Sequence, residues 1–366
     1  MKRHLLLPGA VAVLVVVGAV VAAGAFSVPA TAVTVDGVSV SRATLNADLA
    51  TINQNPAFGC YLDASVAVRS NNQAGLPSIT GTGSSGTYRT AYVDFWLSEV
   101  VNNLLVQHLA ASEHLALDAT ALSAGRTDLA NSITSTLESA AAASGQSTVC
   151  AASGQSLIAT LPGPFVAQLA LGQAAGDLVL AHAAGYGLGT VQLSSYFALH
   201  ANQFRTICLN AIQTATEATA TQVRASIEAG QSFAAAAMAD STDTTSAAAG
   251  GAVGCYSANE GAYATVATDT KGLAVGEVSQ PVDDNGSFLL VQVTSYTPAV
   301  FDAVIPAVRQ AVFNAGATKA SSELSKLTKS AQVSIDPRYG NWDGRSGVGV
   351  APPLSPPAAD LLNAKA

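Results

Sequence analysis

An apolar run from Leu5 to Ala25, behind the basic stretch Met1-Lys2-Arg3-His4, constrains this chain most, because it sets the compartment in which the rest folds. Ala30-Thr31-Ala32 then places small residues at the two positions a signal peptidase reads. This is the layout of a secretory signal peptide, with cleavage expected after Ala32. The run also reaches the ~20 residues needed to span a bilayer, so an uncleaved anchor is the competing reading. No Cys follows it, which argues against a lipoprotein, and no second stretch of spanning length is seen. Both readings put the body outside the cytoplasm, secreted or in the cell envelope, with membrane contact only through residues 5–25.

That compartment permits disulfides. The four cysteines, at 60, 150, 208 and 255, form an even set with no C-x-x-C pair, so zinc and thioredoxin chemistry lack support. Spacing alone leaves three pairings open. The length of 366 residues suggests roughly two domains on a prior of ~100–200 residues each. With 16 Lys+Arg against 24 Asp+Glu, the chain lacks the basic footprint of a nucleic-acid binder. At 49% hydrophobic and 11% charged it is not disordered by composition, and its cores must be built largely from small residues.

Val33 to Ser41 reads as two short strands around an Asp36-Gly37 turn, after which Ser41 caps a helix carrying Leu45, Leu49 and Ile52. Residues 55–87, with Asn55-Pro56, Asn71-Asn72 and several glycines, read as a long loop. Helices are expected over 91–117, ~124–143, ~164–184 and ~191–203. The pattern changes after Gln203. Phe204–Ile212 is strand-like, 217–229 and 232–240 are helical, and strands follow at Gly250–Tyr256, before Val282 and at Phe288–Val293. This β-α-β-β order suggests a small α+β domain. A helix from Phe301 to Lys329 and a Pro/Ala tail complete the chain.

Residues 204–296 resemble the parvulin (PpiC) type of peptidyl-prolyl isomerase domain. The anchors are Phe204-Arg-Thr-Ile-Cys-Leu209, Ile227-Glu-Ala-Gly-Gln-Ser-Phe233, Gly250-Gly-Ala-Val-Gly254, Leu273-Ala-Val-Gly-Glu-Val-Ser-Gln-Pro-Val282 and Phe288-Leu-Leu-Val-Gln-Val293. The strand–Asp-Gly–strand and Ser-capped helix at the start look like the opening of the SurA/PrsA exported chaperones. The resemblance implies an α+β fold: a SurA-N-like helical chaperone lobe built from both chain ends, with an inserted β-α-β-β domain. The implied divisions are a signal segment 1–32, a helical lobe 33–202, a parvulin-like domain 203–297, a C-terminal helix and tail segment 298–345 packing on the N-terminal lobe, and a disordered tail 346–366. It also implies the disulfides Cys208–Cys255, within the parvulin-like sheet, and Cys60–Cys150, between the 55–87 and 144–153 loops.

The catalytic pattern is degenerate. Thr206 stands where active parvulins carry a first-strand His, Leu289 where a last-strand His is usual, and Ala252 where Asp or Cys follows the paired glycines. Tyr263 is the only aromatic residue near the expected proline pocket. The resemblance therefore implies a folding factor that binds unfolded or nascent exported chains without cofactor, metal or nucleic acid. Two alternatives stand beside it: an active isomerase rearranged around Tyr263, Cys208 or Thr206, and a non-catalytic envelope scaffold. Other constellations read as structural. His108 and His114 lie on different helix faces, Gly81–Gly86 lacks the Lys of a phosphate loop, and Asp240, Asp243, Asp283 and Asp284 lack EF-hand spacing. The aromatics of Arg338–Trp342 read as anchors for the last segment.

Overall fold

A computed structural model describes residues 30–70, 88–150, 152–284, 286–344 and 349–352. In chain order the elements are β1 (Thr31–Val35), β2 (Val38–Ser41), α1 (Arg42–Gln54), α2 (Pro56–Ser70), α3 (Thr90–Ser112), α4 (Ala119–Ser144), α5 (Gly154–Ala159) and α6 (Gly163–Ala183). Then come α7 (Thr190–His200), β3 (Thr206–Thr214), α8 (Glu217–Glu228), α9 (Phe233–Asp240), α10 (Thr244–Ala248), β4 (Ala252–Tyr256) and α11 (Tyr263–Asp269). The chain ends with β5 (Val282–Asp284), β6 (Ser287–Thr297), α12 (Phe301–Ser330), β7 (Val333–Ile335), β8 (Asn341–Asp343) and β9 (Gly349–Ala351). It is an α+β protein in two compact units, one from residues 1–185 and 313–366, the other from 186–312.

In the first unit, β1 and β2 form a hairpin whose turn residues Asp36 and Gly37 both have positive φ. That is the turn geometry that Asp-Gly favours between twisted strands. β7 adds antiparallel to the other side of β1, giving the order β2-β1-β7. Ser41 caps α1 by accepting from Thr44 N at 3.0 Å. The helices bury a core around Trp96, Tyr61, Tyr92 and Phe58, with Trp96 stacked on Phe165 at 5.8 Å. α4 and α6 approach so closely at Gly125 that a Cβ there would lie 2.6 Å from the Ala170 carbonyl oxygen. Small residues thus substitute backbone proximity for bulky interdigitation. By length and composition α6 could cross a bilayer, yet it buries Phe165, Val166 and Leu169 in this core.

Three expectations need correction. Residues 56–70 form α2 rather than a loop: the Asn55 side chain accepts from Phe58 N at 3.0 Å, and Pro56 sits at the first helical position, where its missing N–H costs nothing. Phe58, Tyr61, Leu62 and Ala64 pay for ordering it by burial; residues 71–87 lie outside the described ones. Gly349–Ala351, expected in the tail, pairs with β8 as β9, with Val350 buried; residues 345–348 and 353–366 are outside the described set. Finally, α12 does not pack wholly with the N-terminal unit. Residues 301–312, with buried Val304, Val308 and Val312, belong to the second unit, and Ala320, Leu324 and Leu327 pack in the first.

The second unit is built on a four-stranded antiparallel sheet of order β4-β3-β6-β5. One face, carrying Ile212 and Leu290, is covered by Val223, Phe233, Ala236 and Ala237 of α8 and α9. The opposite face is the candidate site. Cys60 is bonded to Cys150 in the first unit, and Cys208 to Cys255 directly across β3 and β4 in the second.

Candidate functional site

Side chains alternate across a strand, so the register of β3 against β6 decides which residues can share a site. Leu209 lies opposite Val293, Ala211 opposite Val291 and Gln213 opposite Leu289. These odd-numbered positions face the side away from α8 and α9. There Leu209 and Val291 are buried with Tyr263, while Ala211, Val253, Tyr256, Val266 and Leu289 pack around them partly exposed. The result is a shallow apolar face bounded by β4 and α11.

The expected site residues are distributed differently. Thr206 pairs with Thr297, at the far end of the ladder from Leu289, and has the parity of the opposite face. Ala252 pairs with Asn210 and points away; its neighbour Val253 joins the face instead. A bulge between Leu209 and Asn210 in the β3–β4 pairing produces that switch. The β3 residue directly opposite Leu289 is Gln213, and Leu209 and Ala211 lie on the same face. The alternation of buried Ile207, Leu209 and half-buried Ala211 was the available signal.

Tyr263 is on this face but is committed. Its hydroxyl lies 2.9 Å from the Gln203 carbonyl oxygen and 2.8 Å from that of Arg205, donating to one or the other and tying α11 to the start of β3. Burial pushes its pKa up, with Arg205 opposing, so the phenol stays protonated. Arg205 in turn lies over the Tyr296 ring, 3.3 Å from its centroid. Cys208, with its sulfur bonded to Cys255, offers no thiol. No described cluster of His, Cys, Asp or Glu could hold a metal.

The paired glycines retain their structural task. Gly250 and Gly251 both have positive φ, and a Cβ on Gly251 would lie 3.0 Å from the Ala211 carbonyl oxygen and from Phe233 Cε1. Gly251 O accepts from Ala211 N at 2.8 Å, which holds the loop against β3. The loop is fixed by this main-chain geometry, while the face below it is mostly hydrocarbon. Such a face can bind an apolar or prolyl side chain by burial. The polar residue in this register, Gln213, donates its side-chain amide to Ser287 Oγ at 2.8 Å rather than to a twisting amide, whose barrier is ~18–20 kcal/mol.

No curated protein matches the chain. Similar solved structures include foldase protein PrsA from Streptococcus pneumoniae str. Canada MDR_19A, with 14% identity, covering 85% of this chain and 97% of that one at a TM-score of 0.35. PrsA from Bacillus cereus shows 13% identity, 70% and 93% coverage and a TM-score of 0.37. The parvulin domain of PpiD from E. coli shows 26% identity, 26% and 92% coverage and a TM-score of 0.24. Within the sheet-containing unit, residues 208–295 match the Rotamase family model, the PPIC-type PPIASE domain.

Proposed function

We propose that this protein is an extracytoplasmic folding factor whose PPIC-type domain binds exported, unfolded chains without isomerising them. The observation that carries this is the composition of the face: Leu209, Ala211, Leu289 and Val291 are apolar, and Gln213 opposite Leu289 has its side-chain amide donating to Ser287 Oγ at 2.8 Å. Catalysis requires interactions stronger in the twisted transition state than in the planar ground state. An apolar face binds both alike. The rearranged-isomerase reading loses support because Cys208 is oxidised and the Tyr263 hydroxyl is tied to main-chain carbonyls.

The test has two arms. In a proline-peptide assay the protein accelerates cis–trans exchange no more than a non-enzymatic control. In an aggregation assay it suppresses precipitation of an unfolded client, and Leu289→Asp weakens that suppression. Turnover that disappears with Leu289→Asp restores the isomerase reading; no suppression of aggregation favours the scaffold.

A further inference from the structure

A second candidate site lies wholly in the helical unit. A cavity of about 460 Å³ opens between α2, α3, the end of α12 and the β8–β9 hairpin. That volume falls within the ~300–1,000 Å³ of sites for small ligands or side chains. Its charged lining residues are Arg69 from α2 and Asp94 and Glu99 from α3, one cation against two carboxylates. Arg69 and Glu99 neutralise each other, with Nη1 2.5 Å from Oε1. Asp94 has no cation of its own among the described residues, and its Oδ1 is closed off from solvent without a hydrogen bond. Burial raises its pKa to about 6, so at neutral pH it is ionised at a desolvation cost that a cationic ligand would relieve.

The remaining walls narrow the ligand class. Phe95 and Trp342 contribute aromatic surface, and Asn102 adds an amide. An anion would meet net negative charge, and a neutral apolar group would leave Asp94 uncompensated. A guanidinium is flat, stacks on aromatic rings and presents several donors in the fork that a carboxylate accepts.

We propose that this cavity is a subsite for the guanidinium group of an arginine side chain. It does not rest on the apolar face of the PPIC-type domain, and either reading can fail alone. The probe is acetyl-Ala-Arg-Ala-amide, titrated calorimetrically into the full chain at neutral pH against the citrulline peptide, its neutral near-isostere. The arginine peptide is expected to bind at least ten-fold tighter, and Asp94→Asn to reduce that preference to about one-fold while helical circular dichroism is retained. Free L-argininamide binding as tightly as the peptide assigns the subsite to the side chain alone and sustains the guanidinium reading. Equal binding of arginine and citrulline peptides to the unaltered protein overturns it, whatever the variant does. So does an arginine peptide that fails to bind at millimolar concentration, or a preference that survives Asp94→Asn.

Discussion

Asp36 and Gln332, 296 residues apart, exchange two hydrogen bonds: Asp36 N donates to Gln332 O at 3.0 Å, and Gln332 N donates to Asp36 Oδ1 at 2.8 Å. One residue of the first hairpin turn thereby fixes the entry of β7 beside β1. Arg42 at the start of α1 forms an ion pair with Asp336 just past β7, so the C-terminal strand is held at both ends. Asp36 must also hold a positive φ, which Asp tolerates and alanine disfavours. Asp36→Ala is therefore expected to destabilise the helical unit by about 1–2 kcal/mol, combining a lost hydrogen bond with backbone strain. A denaturant melt checks it, and an unchanged midpoint would remove this clasp from the account.

The disulfides close loops of 90 and 47 residues. On the chain-entropy model each is worth about 4–5 kcal/mol, an upper figure because measured effects are often smaller. Cys60→Ser with Cys150→Ser should lower the melting temperature of the helical unit and leave the PPIC-type domain's transition in place. Peptide mapping of the unreduced protein should yield only Cys60–Cys150 and Cys208–Cys255 fragments. A peptide joining Cys60 to Cys208 or Cys255 would contradict the pairing.

Much of the sheet unit was legible because β3, α8, α9, β4 and β6 carry local signals, such as the Gly230 turn between α8 and α9 or the Gly250-Gly251 loop, whereas the short helices α10 and α11 carried none that was read. Face and register were not. Thr206 and Leu209 fall on opposite faces by alternation along β3, whereas Val253 takes the place of Ala252 on the site face because β4 carries one extra residue there, and such a bulge has no compositional mark. The 56–70 helix was misread for a different reason. Its Asn55-Pro56 start doubles as a turn signal, and only the burial of Phe58, Tyr61 and Leu62 decides between them. The cavity at Asp94 was invisible to sequence because α2, α3, α12 and the β8–β9 hairpin meet only in the folded chain.

The start of β1 bears on processing. Ala30 O accepts from Arg42 N at 2.8 Å, and Ala32 is fully buried with its carbonyl accepting from Asp336 N at 2.9 Å. Cleavage after Ala32 would remove Thr31 and Ala32 from the strand and unpair both donors. A chain processed upstream of Ala30 keeps them, so the N-terminus of any processed form is expected at or before Ala30. Intact mass of the processed protein decides this, and a chain beginning at Val33 would show that the sheet tolerates the loss.

Asp48 on α1 gives the helical unit a pH dependence of definite sign. Its side chain is buried, with Oδ2 lacking a hydrogen-bond partner. Desolvation raises its pKa from 3.8 to about 7, with Trp96 pulling the other way. Between those values the folded chain retains a proton that the unfolded chain has released, so stability must fall as pH rises from about 4 to about 7 and level off above. The span from 3.8 to about 7 corresponds to a contribution on the order of 4 kcal/mol. Asp94, raised to about 6 but only half-buried, adds a smaller slope of the same sign. Asp48→Asn should flatten the dependence, since an amide has no proton to lose in this range. The slope is the reading to take, because the amide changes absolute stability through its own unmet hydrogen bonds. Urea melts at pH 4.5 and pH 8 on the unaltered and Asp48→Asn chains give the comparison. If both lose the same stability across that interval, Asp48 is ionised in the folded core and some donor satisfies it there.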